Sequence, residues 1–128
     1  MIHSAFIGFG KSATRYHLPY VLARKDKFNV KRIYDQRRNP DREQEAAYRD
    51  IAFTSQVEDI LNDADITLVT VCTHPDSHFH YAKLCLEHGK NVLVEKPFTT
   101  TPKEARTLFA LAREKGLLVT PFQNRRFD

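Results

Sequence analysis

At 128 residues the chain has the length of one domain, and 41% hydrophobic with 28% charged residues suits a fold with a single core. No apolar run approaches the ~20 residues of a membrane helix, so no membrane partner is expected. No basic segment leads into an apolar one as in a signal peptide, which points to the cytoplasm. The formal net charge of +4 favours an anionic small ligand. Its basic residues are scattered rather than aligned on one helix face, which argues against nucleic acid. Cys72 and Cys85 lack C-x-x-C spacing and read as buried thiols; no metal site is expected.

The first predicted element is a strand over residues 2–7, broken by Gly8-Phe9-Gly10, with Ala13 three positions further on. This is G-x-G-x-x-A, the turn that cradles a dinucleotide. Gly8 permits the sharp exit from the strand. Gly10, lacking a Cβ, lets a pyrophosphate approach the backbone. Ala13 lets the following helix pack on the sheet, with its N–H groups facing the phosphates. That helix is expected from about Lys11, kinked or broken at Pro19 and continuing through Arg24.

Residues 28–34 (FNVKRIY) alternate as a second strand, closed by Asp35. A polar loop follows, then a short helix over 41–48. Residues 51–54 form a third strand. Ser55-Gln56-Val57-Glu58 reads as a capping box opening a helix over 56–61. The β-branched run at 66–72 (ITLVTVC) has the character of a strand buried on both faces. A helix over 77–87 stops at Gly89, and residues 91–95 make a fifth strand. Thr101-Pro102-Lys103-Glu104 is a second capping box, opening a helix that runs to Lys115 and ends at Gly116. Residues 117–120 are the sixth strand. Such alternation predicts an α/β fold: a doubly wound, parallel six-stranded sheet in three layers, strand order 3-2-1-4-5-6, the Rossmann arrangement. The domain is expected over 1–120, with 121–128 leading out of it.

Asp35, 25 residues beyond Gly10, stands where this fold holds the adenosine ribose hydroxyls. Its carboxylate favours NAD, whereas Arg37 and Arg38 offer guanidinium groups to the 2′-phosphate of NADP. The plainer alternatives are a strand-end turn residue and a solvated loop. Thr73-His74-Pro75 and His78 follow the fourth strand, near the cofactor; either histidine could be catalytic, or an ordinary loop or first-turn residue. Lys96, after Glu95 at the end of the fifth strand, is either an active-site lysine or a surface one.

Gly8-Phe9-Gly10, Thr73 to His78, the stretch GKNVLVEKP at 89–97, and Gln123-Asn124-Arg125-Arg126-Phe127 occur together and in order. Together they resemble the N-terminal domain of the glucose–fructose oxidoreductase / inositol dehydrogenase / MocA family, across essentially the whole chain. Within it, AFIGFGKSATRYHLPYVL, NVLVEKPFT and QNRRFD are close to the YhhX-type subgroup. The resemblance implies that Gly8, Phe9, Gly10, Lys11 and Ser12 line the pyrophosphate, and that Asp35, Gln36 and Arg37 meet the adenosine ribose. It places Thr73, His74, Pro75 and His78 beside the nicotinamide-side ribose. Glu95 and Lys96 would reach the nicotinamide and substrate, with Lys96 catalytic or substrate-orienting and Asn124 near the ring. It implies NAD or NADP as cofactor, NAD slightly favoured, and hydride exchange with a sugar or polyol hydroxyl carbon. Family members continue into a second α/β domain that carries most substrate contacts, a catalytic histidine and the main homo-oligomer interface. These 128 residues alone are therefore expected to bind dinucleotide weakly and turn over nothing. Two alternatives remain: a non-enzymatic dinucleotide-binding regulatory module, with no use for Lys96, and more weakly a methyltransferase-like domain.

Overall fold

The computed structural model describes residues 1–10 and 13–121, and only the backbone of residues 15 and 16. Its strands are β1 (Ile2–Ile7), β2 (Phe28–Tyr34), β3 (Ala52–Thr54), β4 (Leu68–Val71), β5 (Asn91–Val94) and β6 (Val119–Pro121). Its helices are α1 (Leu18–Leu22), α2 (Pro40–Glu43), α3 (Glu58–Leu61), α4 (His78–Glu87) and α5 (Pro102–Lys115). The six strands form one sheet in the order β3-β2-β1-β4-β5-β6, every neighbouring pair parallel. This is the predicted Rossmann order, and the reversal between β1 and β4 creates the switch point where such sheets take ligands.

β1 shows why the sheet is covered on both faces. Successive side chains alternate in direction. Ala5 and Ile7 enter a core with Ile60 of α3, Leu86 of α4 and Leu108 of α5. Phe6 enters a second core with Phe9, Leu18 of α1, Ile33 and Tyr48. Both clusters consist of side chains nearly closed to water, each contributing about 1.5–3 kcal/mol when large and fully buried. Between Ser4 and Ala5 the β1–β2 register skips Lys31, a bulge in β2.

Several local expectations are corrected. The break expected at Pro19 comes one turn earlier: Ala13–His17 form a wide π-type turn, and α1 begins at Leu18 with Pro19 in its first turn. Proline lacks the N–H that a regular helix would need there, so the widened turn precedes it. The segment 41–48 splits into α2 and a 3₁₀ turn at Ala46–Tyr48. Asn39 opens α2 by accepting the Arg42 N–H at 3.3 Å. Ser55 makes no capping box. α3 opens without a side-chain cap, and Thr54 instead fixes the loop before it, accepting the Gln56 N–H at 3.0 Å and donating to Asp59 at 2.5 Å. At α5 half of the box forms: Thr101 accepts the Glu104 N–H at 3.2 Å, while the Glu104 carboxylate turns to Thr100. Gly116, at φ +68, closes α5 in the left-handed region.

Asp63, between α3 and β4, collects charges from the edge of the sheet. Its Oδ2 lies 2.8 Å from Lys31 Nζ and 3.0 Å from Arg32 Nε, and its Oδ1 accepts the Asp65 N–H at 3.1 Å. Lys90, 4% exposed, donates from Nζ to the Asp63 carbonyl at 2.6 Å and the Ile66 carbonyl at 2.8 Å. The lysine of the GKNV stretch thus ties the α3–β4 loop to the start of β5. The Lys31 ammonium, then Arg32 and the Asp65 N–H, hold the Asp63 carboxyl down at about 2, from an ordinary 3.8. A carboxyl lowered on folding stabilises the fold above its unfolded value, and that contribution is lost as pH falls through its folded one. Urea midpoints should therefore decline between pH 3.8 and about 2, and Asp63→Asn should flatten that part of the decline.

Candidate functional site

The carboxyl ends of β1, β2 and β4 meet around a cleft of about 440 Å³. It is lined by Gly8, Phe9 and Gly10 on one side, Asp35, Gln36 and Arg37 on a second, and Cys72, Thr73 and His74 on a third. Three segments far apart in sequence converge here because β1 lies between β2 and β4.

Gly8 sets the geometry. Its φ is +115, and a Cβ built on it would lie 2.7 Å from the Cys72 carbonyl oxygen. Only glycine fits both the conformation and the space. A Cβ built on Gly10, by contrast, meets no heavy atom of the described residues within 4 Å. That open cradle over the backbone is what a pyrophosphate would fill, and it is the observation by which this turn fits a dinucleotide. Thr14 closes the next turn back onto Gly10, its N–H and its hydroxyl both 3.1 Å from the Gly10 carbonyl oxygen. Phe9 also lines the cleft, and its ring packs edge-on against Tyr48 and Phe53, with the Arg42 guanidinium over it at 4.8 Å. Lys11 and Ser12, expected at the pyrophosphate, lie outside the described residues, as does Asn124.

Asp35 is half-buried at the end of β2, its N–H bonded to the Thr54 carbonyl and its Oδ1 accepting the Arg37 N–H at 3.3 Å. Burial raises its carboxyl above the ordinary 3.8, the Arg37 N–H pulls it down, and the nearby Glu43 charge pushes it up. Gln36 and Arg37 are exposed on the rim.

On the β4 side, Ser77 Oγ bridges Thr73 Oγ1 at 2.6 Å and the His74 carbonyl at 2.7 Å, which fixes the loop. His74 is exposed and caps the 3₁₀ turn Pro75–Ser77, accepting the Asp76 N–H at 3.4 Å. Thr73 and His74 line the cleft; Pro75 starts the turn behind them. His78 is placed differently from the sequence expectation. It is 1% exposed, with Nδ1 2.7 Å from the Pro97 carbonyl and Nε2 2.9 Å from the Thr73 carbonyl. Its ring therefore braces the β4 and β5 loops from inside instead of facing the ribose. Tyr34, Ser77 and Tyr81 also line the cleft, and sequence reasoning missed them. Tyr81 places its hydroxyl 3.5 Å from that of Tyr34, and burial pushes its phenol up to about 12. The available signal was position: Tyr34 precedes Asp35, while Ser77 and Tyr81 lie four residues apart, on the turn and helix after β4.

Beyond β5, the Glu95 carboxylate pairs with the buried His17 at the end of the π-type turn, and its Oε1 accepts the Lys96 N–H at 3.1 Å. Glu95 thus points back to the end of the turn that precedes α1. Lys96 is exposed at the strand's carboxyl end, followed by a cis bond to Pro97. Neither residue lines the cleft itself.

The sheet order, the glycine turn at the switch point and the acidic end of β2 define a Rossmann-type α/β domain. The chain belongs to the oxidoreductase family with an NAD-binding Rossmann fold, GFO_IDH_MocA, whose model matches residues 2–123. It is 62% identical over its full length to the uncharacterized oxidoreductase YhhX of Escherichia coli K12, covering 37% of that protein. A crystal structure of the probable oxidoreductase yhhX superposes with a TM-score of 0.96, over all of this chain and 37% of that one. The chain is 34% identical to the NADP-dependent scyllo-inositol 2-dehydrogenase IolW of Bacillus subtilis, over 99% of this chain and 34% of the relative. The 3-ketoreductase KijD10 of Actinomadura kijaniata, solved with NADP and TDP-benzene, matches with a TM-score of 0.83 and 32% identity, over 94% of this chain and 36% of that one. The chain thus spans little more than a third of the length of these relatives. Among the described residues, no helix is long and apolar enough to cross a membrane.

Gly8→Ala combines a forbidden backbone conformation with a backbone clash. It should lower unfolding free energy by at least about 2 kcal/mol in urea titration, whereas Gly10→Ala, with open space above it, should leave the midpoint nearly unchanged.

Proposed function

We propose that this chain is the cofactor-binding domain of an oxidoreductase that moves a hydride between a nicotinamide dinucleotide and a hydroxyl-bearing carbon of a sugar- or polyol-like substrate. The observation that carries the reading is the cleft itself, with an open glycine cradle on one wall and a half-buried carboxylate on another. When bound, the cofactor supplies the hydride chemistry; the chain binds and orients it. Backbone N–H groups of the glycine turn hold the pyrophosphate, and Asp35 accepts hydrogen bonds from the ribose hydroxyls. Thr73 and His74 border the second ribose. Lys96 places an ammonium at the carboxyl end of β5, where it orients a substrate oxygen or passes it a proton. His78 holds the loop beside it through the Pro97 carbonyl.

The substrate class rests on the names of relatives, a scyllo-inositol dehydrogenase and a ketoreductase. Asp35 argues for NAD; those two relatives are named with NADP. A second domain after residue 120, supplying substrate contacts and a subunit interface, belongs to the same proposal, as does a place in the cytoplasm.

Calorimetric titration of this chain with NAD and NADP in parallel tests the site. NAD should bind more tightly, and Asp35→Ala should weaken NAD by roughly tenfold or more, the loss of two charge-assisted hydrogen bonds. No binding of either cofactor contradicts the reading. In the longer protein, Lys96→Ala should reduce turnover at least about a hundredfold, the usual worth of a proton-transfer group, with cofactor affinity kept. A non-enzymatic binding module would lose neither.

A further inference from the structure

Beyond the fingerprint residues, the loop after β2 carries an ion pair that the cofactor reading leaves unused. Arg38 meets Glu43 of α2 in a two-pronged contact, Nε to Oε2 at 2.6 Å and an Nη to Oε1 at 2.7 Å. Glu43 Oε2 also accepts the Asn39 N–H at 3.2 Å, and Asn39 in turn caps α2. The Glu43 side chain is 9% exposed against 43% for Arg38, so the carboxylate is the anchored partner and the arginine lies over it. Both charges act on the Asp35 carboxyl of the cleft, Glu43 pushing it up and Arg38 pulling it down. Arg37, one residue earlier, lines the cleft directly.

An arginine beyond β2 is the group that receives a 2′-phosphate, through the same fork geometry that grips a carboxylate. Here that fork is taken by Glu43, and the pair's charge is neutral. We propose that Glu43 is a specificity-determining residue that acts through Arg38, withholding its guanidinium from the 2′-phosphate of NADP and leaving Asp35 to select NAD. The inference rests on the dinucleotide reading of the cleft. Glu43 exerts no pull on NAD, which has hydroxyls where NADP has the phosphate. The preference is therefore set by a residue eight positions past Asp35, on a different element.

The test is a set of calorimetric titrations with NAD and NADP on the wild-type chain and on Glu43→Gln, Arg38→Ala and the double variant. Glu43→Gln should tighten NADP about tenfold, the strength of one freed charge-assisted contact, while NAD stays within about twofold. Arg38→Ala alone leaves the Glu43 carboxylate uncompensated, so it should not tighten NADP while NAD stays within about twofold, and the double variant should return NADP to its wild-type value. The inference is overturned if Glu43→Gln leaves NADP unchanged, or if the double variant keeps the gain, which would make the effect simple charge removal. It is also overturned if Arg38→Ala alone tightens NADP, an outcome that does not depend on the Glu43 variant folding. Failure of the wild-type chain to bind either dinucleotide would instead overturn the underlying reading, a result distinct from NAD binding with unchanged selectivity.

Discussion

Where β1 ends, Gly8 turns at φ +115 against the backbone of Cys72, so near that a Cβ would stand 2.7 Å from its carbonyl oxygen. That contact joins the ends of β1 and β4, the two strands between which the strand order reverses. The Gly8 N–H bonds the Tyr34 carbonyl of β2, and the Cys72 N–H bonds the Ile7 carbonyl. One residue thus holds three strand ends in register. Gly10 beyond it, Asp35 beyond β2 and Thr73 beyond β4 take their places from that junction. The cleft is a consequence of parallel strands meeting at one end, with loops free to face outward.

Polar side chains divide into two populations. Lys90, His78 and Asp63 are bonded mainly to backbone or to fixed partners, and hold loops to strands. Their buried partners would otherwise carry a desolvation cost of about 1–3 kcal/mol per unsatisfied group. Asp35, Arg37, His74 and Lys96 lie at the carboxyl edge with less burial and fewer bonds. The GKNVLVEKP stretch contains both kinds: Lys90 is a structural cation at the start of β5, and Lys96 is an exposed one at its end. Their separation by one strand explains why two lysines six residues apart have different work. Glu95 links the populations, since its carboxylate faces His17 at the end of the turn before α1 while its backbone continues into Lys96.

Much of the fold was legible because the patterns were local and strong. β2 and α5 appear with their predicted bounds, the first from alternation and the second from Pro102 at its start and Gly116 at its end. The strand order followed from the alternation of elements. The glycine turn and Asp35 converge as their spacing implied. What the sequence did not disclose depends on side-chain direction. Ser55 and Glu58 have capping-box spacing, yet α3 starts only at Glu58 without a side-chain cap, while Thr54 closes the loop before it. His78 sits at the start of α4 as expected, but its ring turns inward, between the Thr73 and Pro97 carbonyls. Tyr81 enters the cleft only because α4 packs over Tyr34, a contact 47 residues apart in sequence. The grip of Glu43 on Arg38 was hidden for the same reason: charges in a polar loop have no period that shows which of them meet.

A dinucleotide seated in the cleft at the β1–β4 switch point would be visible in assigned amide spectra of the isotope-labelled chain, recorded through a titration with NAD. Shifts should concentrate at Gly8, Gly10, Asp35, Gln36, Thr73 and His74, with Asp63, Asp65 and Lys90 unmoved at saturation. Shifts centred on the Asp63 edge, or spectra unchanged at millimolar NAD, would contradict it.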